Sequence, residues 1–242
     1  MLATVRFYAE LNDHLPPESR FHSLEKRFDV PGSVKDLVES FGVPHTEVEL
    51  IVVNGVSVEF AHTIRDGDRI AVYPVWESVD VTAALRVRPA PLRDPRFVLD
   101  VHLGRLAAYL RMLGFDVLYR NCFDDAELVR ISVDERRILL TRYRGLLRHG
   151  ALTHGYWLRE TDSRAQLAEI LRRFDLRGLV RPFTRCISCN GLLEDVAKET
   201  VPAGLPPRVA GEFDEFRRCS GCGRVYWRGS HYRRMQQWIE AL

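Results

Sequence analysis

Apolar and polar positions alternate over residues 2–9 (LATVRFYA), the two-residue period of a half-buried strand. A second strand is predicted over 25–30 (EKRFDV). Pro31-Gly32-Ser33 then opens a helix over 34–41, with Ser33 as its N-cap. A third strand, ELIVV at 49–53, runs into the hairpin signal Asn54-Gly55 and continues through 56–58. Asp66-Gly67-Asp68 turns into a last strand at 69–73. The order is β-β-α-β-β-β.

The pattern changes beyond a stretch that carries Pro89, Pro91 and Pro95. A short apolar strand at 97–99 ends in Asp100, and a helix follows over 103–113 with Gly114 just past its end. Next come a strand at 115–119, a helix at 124–133, a strand at 137–141, a helical segment near 144–149, a strand at 156–158 and a helix at 165–174. Strands alternating with helices predict a parallel sheet in an α/β/α sandwich. Working residues of such sheets gather at the carboxyl ends of strands, which draws Asp100, Asp124, Thr141, Arg142 and Asp162 together. Asp124 and Asp125 read equally well as residues of a helix start, and Asp162 as part of a turn. Asp100 has no such local role.

The domains follow: 1–78, a linker at 79–95, an α/β domain at 96–182, and a cysteine-bearing module with a C-terminal helix at 183–242. The overall charge of +2 conceals a division. Residues 1–80 hold seven Lys and Arg against fourteen Asp and Glu, a net −7, which leaves +9 for the remainder. A basic half suits a polyanion such as nucleic acid. No apolar run is long enough to span a membrane, and the N-terminus has no secretory pattern, so the expected location is cytoplasmic.

Four of the five cysteines form the pattern C-x2-C-x29-C-x2-C: Cys186, Cys189, Cys219 and Cys222. In a cytoplasmic chain this spacing reads as one structural zinc ion, Zn2+, with four thiolates closing the shell. Asn190-Gly191 and Gly223 follow the pairs and accept the positive φ that lets amides face sulfur. The long gap predicts a loop at VPAGLPPRV. Cys122 stands alone and is expected to be a small buried residue. After the second pair, Arg228, Arg233 and Arg234 interleave with Tyr226, Trp227, His231 and Tyr232. Charge for phosphate beside flat rings for unstacked bases is what RNA binding requires. The same residues also read as a helix packing its aromatics inward. Arg105, Arg142 and Arg144 are further candidates for RNA contact, whereas Arg105 and Arg111, six residues apart, lie on different helix faces.

Through VRFYAEL, VNG and DGDRIAVYP, residues 1–78 resemble the ubiquitin-like β-grasp sulfur carriers, an α+β fold. Those carriers end in Gly-Gly, whereas this chain runs on through Pro74-Val75-Trp76-Glu77. Sulfur transfer is therefore not expected, and the domain reads as a binding or positioning module with an unidentified protein partner. FVLDVHLGRLAAYLRMLGFDVLY, DD-x-EL, RILLTRYR, the four cysteines and VYWRGSHYRRM are similar to the Mut-seven C-terminal ribonuclease family. That resemblance covers roughly residues 96–236. It implies a PIN-like nuclease fold with a terminal zinc ribbon, and RNA cleavage with Mg2+ or Mn2+ held by clustered carboxylates. Asp100, Asp124, Asp125 and Asp162 match the family's acids; tRNA and ribosome-associated RNA are the candidate substrates. One departure stands out: where the family reads T-R-D, this chain reads Thr141-Arg142-Tyr143. A neutral phenol is a poor ligand for a hard cation. A catalytically impaired RNA binder or an adaptor is the alternative.

Overall fold

The computed structural model describes residues 1–74, 95–201 and 211–240. The first five strands are β1 (Leu2–Phe7), β2 (Ser23–Arg27), β3 (Val48–Val53), β4 (Val56–Val58) and β5 (Arg69–Pro74). They form one sheet in the order β2-β1-β5-β3-β4, with β1 and β5 parallel and the other pairs antiparallel. Helix α1 (Val34–Ser40) contributes Val34, Leu37 and Val38 to the core with Val5, Phe7, Ile51 and Val72. Ser33 caps it as expected, its hydroxyl accepting from the Asp36 amide at 3.1 Å. Asn54 (φ 51°) and Gly55 (φ 88°) make the hairpin turn between β3 and β4. Two boundaries differ from the sequence reading. β1 stops at Phe7 because Ala9 takes φ 47° and opens a 3-10 turn over Ala9–His14. β2 lies two to three residues earlier than the pattern suggested, since its register pairs Leu2 with Arg27.

The next elements are β6 (Phe97–Leu99), α2 (Gly104–Met112), β7 (Val117–Leu118), α3 (Asp125–Asp134), β8 (Ile138–Thr141), β9 (Gly155–Trp157) and α4 (Ser163–Arg173). The four strands build a parallel sheet in the order β7-β6-β8-β9. β6 and β8 are buried at every position, which is why they read as apolar runs without alternation. The helix expected from Leu103 begins at Gly104, after a 3-10 turn over Val101–Leu103. The segment near 144–149 is a 3-10 turn, Leu146–Arg148.

The cysteine module is an antiparallel ribbon of β10 (Leu193–Val196), β11 (Phe216–Cys219) and β12 (Val225–Trp227), in that order, followed by helix α5 (Ser230–Glu240). The sequence expectations for the linker at 79–95, all but its last residue, and for most of the loop VPAGLPPRV fall outside the described residues. The chain divides into two compact units, one gathering the described residues of 1–94 with 124–158, the other 95–123 with 159–242. In the second unit, Trp238 of α5 packs on Tyr109 of α2 with ring centroids 4.8 Å apart. Among the described residues no helix is long and apolar enough to cross a membrane.

Gly114 ends α2 at φ 96°, and a Cβ there would lie 2.1 Å from the carbonyl oxygen of Arg181. Both the left-handed backbone and that close approach demand glycine. Gly114→Ala is expected to lower the unfolding free energy by about 1–3 kcal/mol or more, read from urea denaturation of the full chain.

Candidate metal centre and nuclease site

The two Cys-x-x-Cys turns converge. The sulfur atoms of Cys186, Cys189, Cys219 and Cys222 all lie within 4.8 Å of one another. Cys186 and Cys222 are 3.7 Å apart, and Cys189 and Cys219 3.3 Å. Tetrahedral zinc at ordinary Zn–S lengths places its sulfurs roughly 3.8 Å apart, so this set fits the ion. Among the described residues it is the one group of three or more His, Cys, Asp or Glu side chains that converges. Asn190 (φ 73°) and Gly223 (φ 71°) take the left-handed backbone foreseen for them. Gly191 is needed for a different reason: a Cβ there would meet the Cys219 sulfur at 2.7 Å.

Three partners of this centre are not evident from spacing. The Tyr226 hydroxyl sits 3.0 Å from the Cys186 sulfur, placed to donate to a thiolate. Burial opposes ionisation of Cys186, but Tyr226 and the amides of Cys189 and Ser188 overcome it and hold that thiol at about 6. Burial and neighbouring thiols push Cys189 up to about 12. Without metal, the Cys186 thiolate is thus favoured while Cys189 resists ionisation; a zinc ion would remove that conflict. Arg111 is 5 % exposed, so its guanidinium is almost wholly inside. Its Nη1 donates to the carbonyls of Ile187 (3.2 Å) and Ser188 (2.9 Å), and Nε and Nη2 donate to the Val117 carbonyl. Four thiolates around a dication leave a net charge of about −2, which this buried cation offsets. Asn190 accepts from the Val117 amide at 3.0 Å and donates to Asp116 at 2.9 Å, tying the first turn to β7.

The acids occupy the expected ends of elements. Asp100 closes β6, is 9 % exposed, and its side chain caps nothing in the 3-10 turn that follows. Asp124 is exposed and caps α3, accepting from the Glu127 amide at 2.7 Å, and Asp125 lies in the first turn. Asp162 is exposed and caps α4; the amides of Ala165 and Arg164 hold its carboxyl below the usual range. The capping role considered for Asp124 is therefore real, and Asp162, read from sequence as part of a turn, caps a helix as well; each leaves a second carboxylate oxygen outside the capping bond. Buried Glu169, which sequence reasoning passed over, fastens the approach to Asp162. It accepts from the amides of Arg159 (3.0 Å) and Glu160 (3.1 Å). Tyr143 is 60 % exposed in the turn after β8, its amide bonded to the Thr141 hydroxyl at 2.9 Å.

Arg105, Arg142, Arg228, Arg233 and Arg234 are exposed. Arg144 is exposed overall, yet its guanidinium lies 4.9 Å over the Trp157 ring. Arg228 pairs with Glu215 at 3.1 Å. Trp227, Arg228 and Tyr232 line a groove of about 970 Å³ together with Phe183, Phe216 and Met235. Tyr232 packs on Phe183 at 4.0 Å between ring centroids. His231 lies in α5, but its side chain is outside the described set. Cys122 is exposed, not buried as expected from sequence; it follows β7 in a turn.

The Mut7-C RNAse domain family matches residues 95–239, and the Mut7-C ubiquitin domain matches residues 1–80. The chain belongs to the Mut7-C RNAse domain family. The resemblance drawn from the sequence motifs therefore holds for both parts of the chain. Neither the curated proteins nor the solved structures give a significant match. In this Mut7-C protein the zinc-ribbon geometry falls within the residues matched by the RNAse domain.

One zinc per chain is expected by elemental analysis of the purified protein. Tyr226→Phe removes the hydroxyl from Cys186 and should weaken zinc about tenfold in competition with a chromophoric chelator, while the fold is retained.

Proposed function

We propose that this protein is a metal-dependent ribonuclease whose zinc ribbon helps to hold RNA. The observation that carries the proposal is Asp100, a largely buried carboxylate at the carboxyl end of a parallel strand, within a chain that matches an RNase domain family. Asp124, Asp125 and Asp162 complete the acids assigned to the site. Carboxylate oxygens are the donors that Mg2+ and Mn2+ take, so the set fits such an ion in kind. When bound, the cation would stabilise the negative charge that develops on the phosphodiester and the attacking water. The chain itself places Asp100 by the end of β6, Asp124 by the cap of α3, and Asp162 by the cap of α4 and the Glu169 anchor. Exposed arginines on the ribbon and after β8 supply phosphate contacts, and Trp227 offers a stacking face. Substrates of the tRNA or ribosome-associated type fall within this reading, and the ubiquitin-like domain would add a protein partner.

Tyr143 favours a second reading. It stands exposed where the family's motif has an acid, and a phenol does not replace a carboxylate at a hard cation. In that case the protein binds RNA without cutting it, or serves as an adaptor.

Labelled total tRNA and mixed single-stranded RNA, incubated with Mn2+, Mg2+ or EDTA, separate the two. For a ribonuclease, cleavage requires metal, and Asp100→Asn lowers the rate at least about 100-fold. Binding without cleavage, with activity gained only on Tyr143→Asp, would establish the second reading. In either case Trp227→Ala is expected to weaken single-stranded RNA binding by about 1–3 kcal/mol in a fluorescence-anisotropy titration.

A further inference from the structure

Edge strands of a sheet carry outward-facing amides that need partners. β9 is one edge of the four-stranded sheet. Its inward bonds run through His154 and Leu158, so the Trp157 amide points away from β8. That amide donates to Glu47 Oε1 at 2.7 Å. Glu47 belongs to the ubiquitin-like part of the chain, in the 3-10 turn His45–Glu47. It is 1 % exposed, and its other oxygen accepts from His14 Nε2 at 2.9 Å. His45 reaches the Leu152 carbonyl at 2.9 Å, and the Thr46 hydroxyl lies 3.5 Å from the Leu147 carbonyl.

The same cluster reaches the segment that bears Tyr143. The Trp157 indole donates to the Arg142 carbonyl at 3.2 Å. Arg144 donates to the His14 carbonyl at 3.2 Å and covers the Trp157 ring, which itself packs 5.1 Å from the His14 ring. Residues 142 and 144, which flank Tyr143, are therefore both held from Trp157 or His14.

From this geometry we infer that the ubiquitin-like domain is a fixed edge cap of the nuclease sheet, and that Glu47 is a positioning residue which, through Trp157, sets the segment from Arg142 to Arg144. A carboxylate buried to this degree is tolerated because both oxygens are bonded. The positioning claim concerns the conformation of 142–144; its consequence for RNA cleavage rests on the proposed function.

The test is hydrogen exchange by mass spectrometry on the full chain, with Glu47→Ala, Glu47→Gln and Trp157→Phe. Glu47→Ala is expected to speed exchange in peptides spanning 139–147 and 155–158 about tenfold, with β1, β3 and β5 still protected. Glu47→Gln keeps an oxygen for the Trp157 amide and should restore most of the protection. Trp157→Phe keeps the packing, loses the bond to Arg142 and should loosen 142–146 alone, which decides the matter even where Glu47→Ala does not fold. Unchanged exchange at 139–147 in Trp157→Phe, or uniform loosening of the N-terminal sheet in Glu47→Ala, would overturn the inference. With a wild-type chain that cleaves RNA, Trp157→Phe should lower kcat more than it raises KM. A wild-type chain that does not cleave RNA removes the ribonuclease reading and leaves the exchange result to stand by itself.

Discussion

A parallel sheet of four strands, none longer than four residues, has almost no backbone pairing to spare, and each of its edges turns an amide away from the neighbouring strand. Each edge is met in the same way. On β7 the Val117 amide donates to the side-chain oxygen of Asn190, and on β9 the Trp157 amide donates to Glu47. Asn190 is part of a cysteine turn, and Glu47 is part of the ubiquitin-like domain. The two modules that flank the sheet in sequence thus each supply one acceptor to it. Neither is a loose appendage, because each satisfies a polar group that the sheet cannot satisfy alone.

The cysteine cluster depends on this arrangement as much as on its own four side chains. Thiolates repel one another until a cation is present, and a ribbon with few buried apolar residues has little else to hold it. Arg111 places a buried positive charge beside the first turn while fastening it to β7 by backbone carbonyls, so the electrostatic and the structural roles fall on one side chain. Tyr226 lowers the cost of ionising Cys186 from β12 of the ribbon.

Two of the acids have a structural role of their own. Asp124 and Asp162 begin helices, and a helix start is a place where a carboxylate is stabilised by amides and dipole alike. Asp100 makes no capping bond in the turn that follows it. Tyr143 is a neutral ring in a segment that Trp157 and His14 restrain on both sides.

Local chemistry was legible in the chain itself. Apolar alternation marked β1, short apolar runs marked β6 and β8, Ser33 and Gly114 marked helix ends, Asn54-Gly55 marked the hairpin, and the cysteine spacing announced a metal centre. These signals depend on neighbours a few residues apart, where backbone geometry leaves few alternatives. Cys122 misled because a lone cysteine carries no such local constraint. Glu47, Asn190, Arg111 and Tyr226 were not legible as partners of the sheet and the metal. Their bonds span 110, 73, 76 and 40 residues of sequence. An acid in a turn or an arginine on a helix ordinarily faces water, and only folding decides which of them is carried inward to meet an unpaired amide, carbonyl or thiolate. The sequence by itself determined the elements and the zinc ligands; the tertiary structure decided what closes the edges of the sheet, because that closure is made by side chains whose partners are backbone groups far away in the chain.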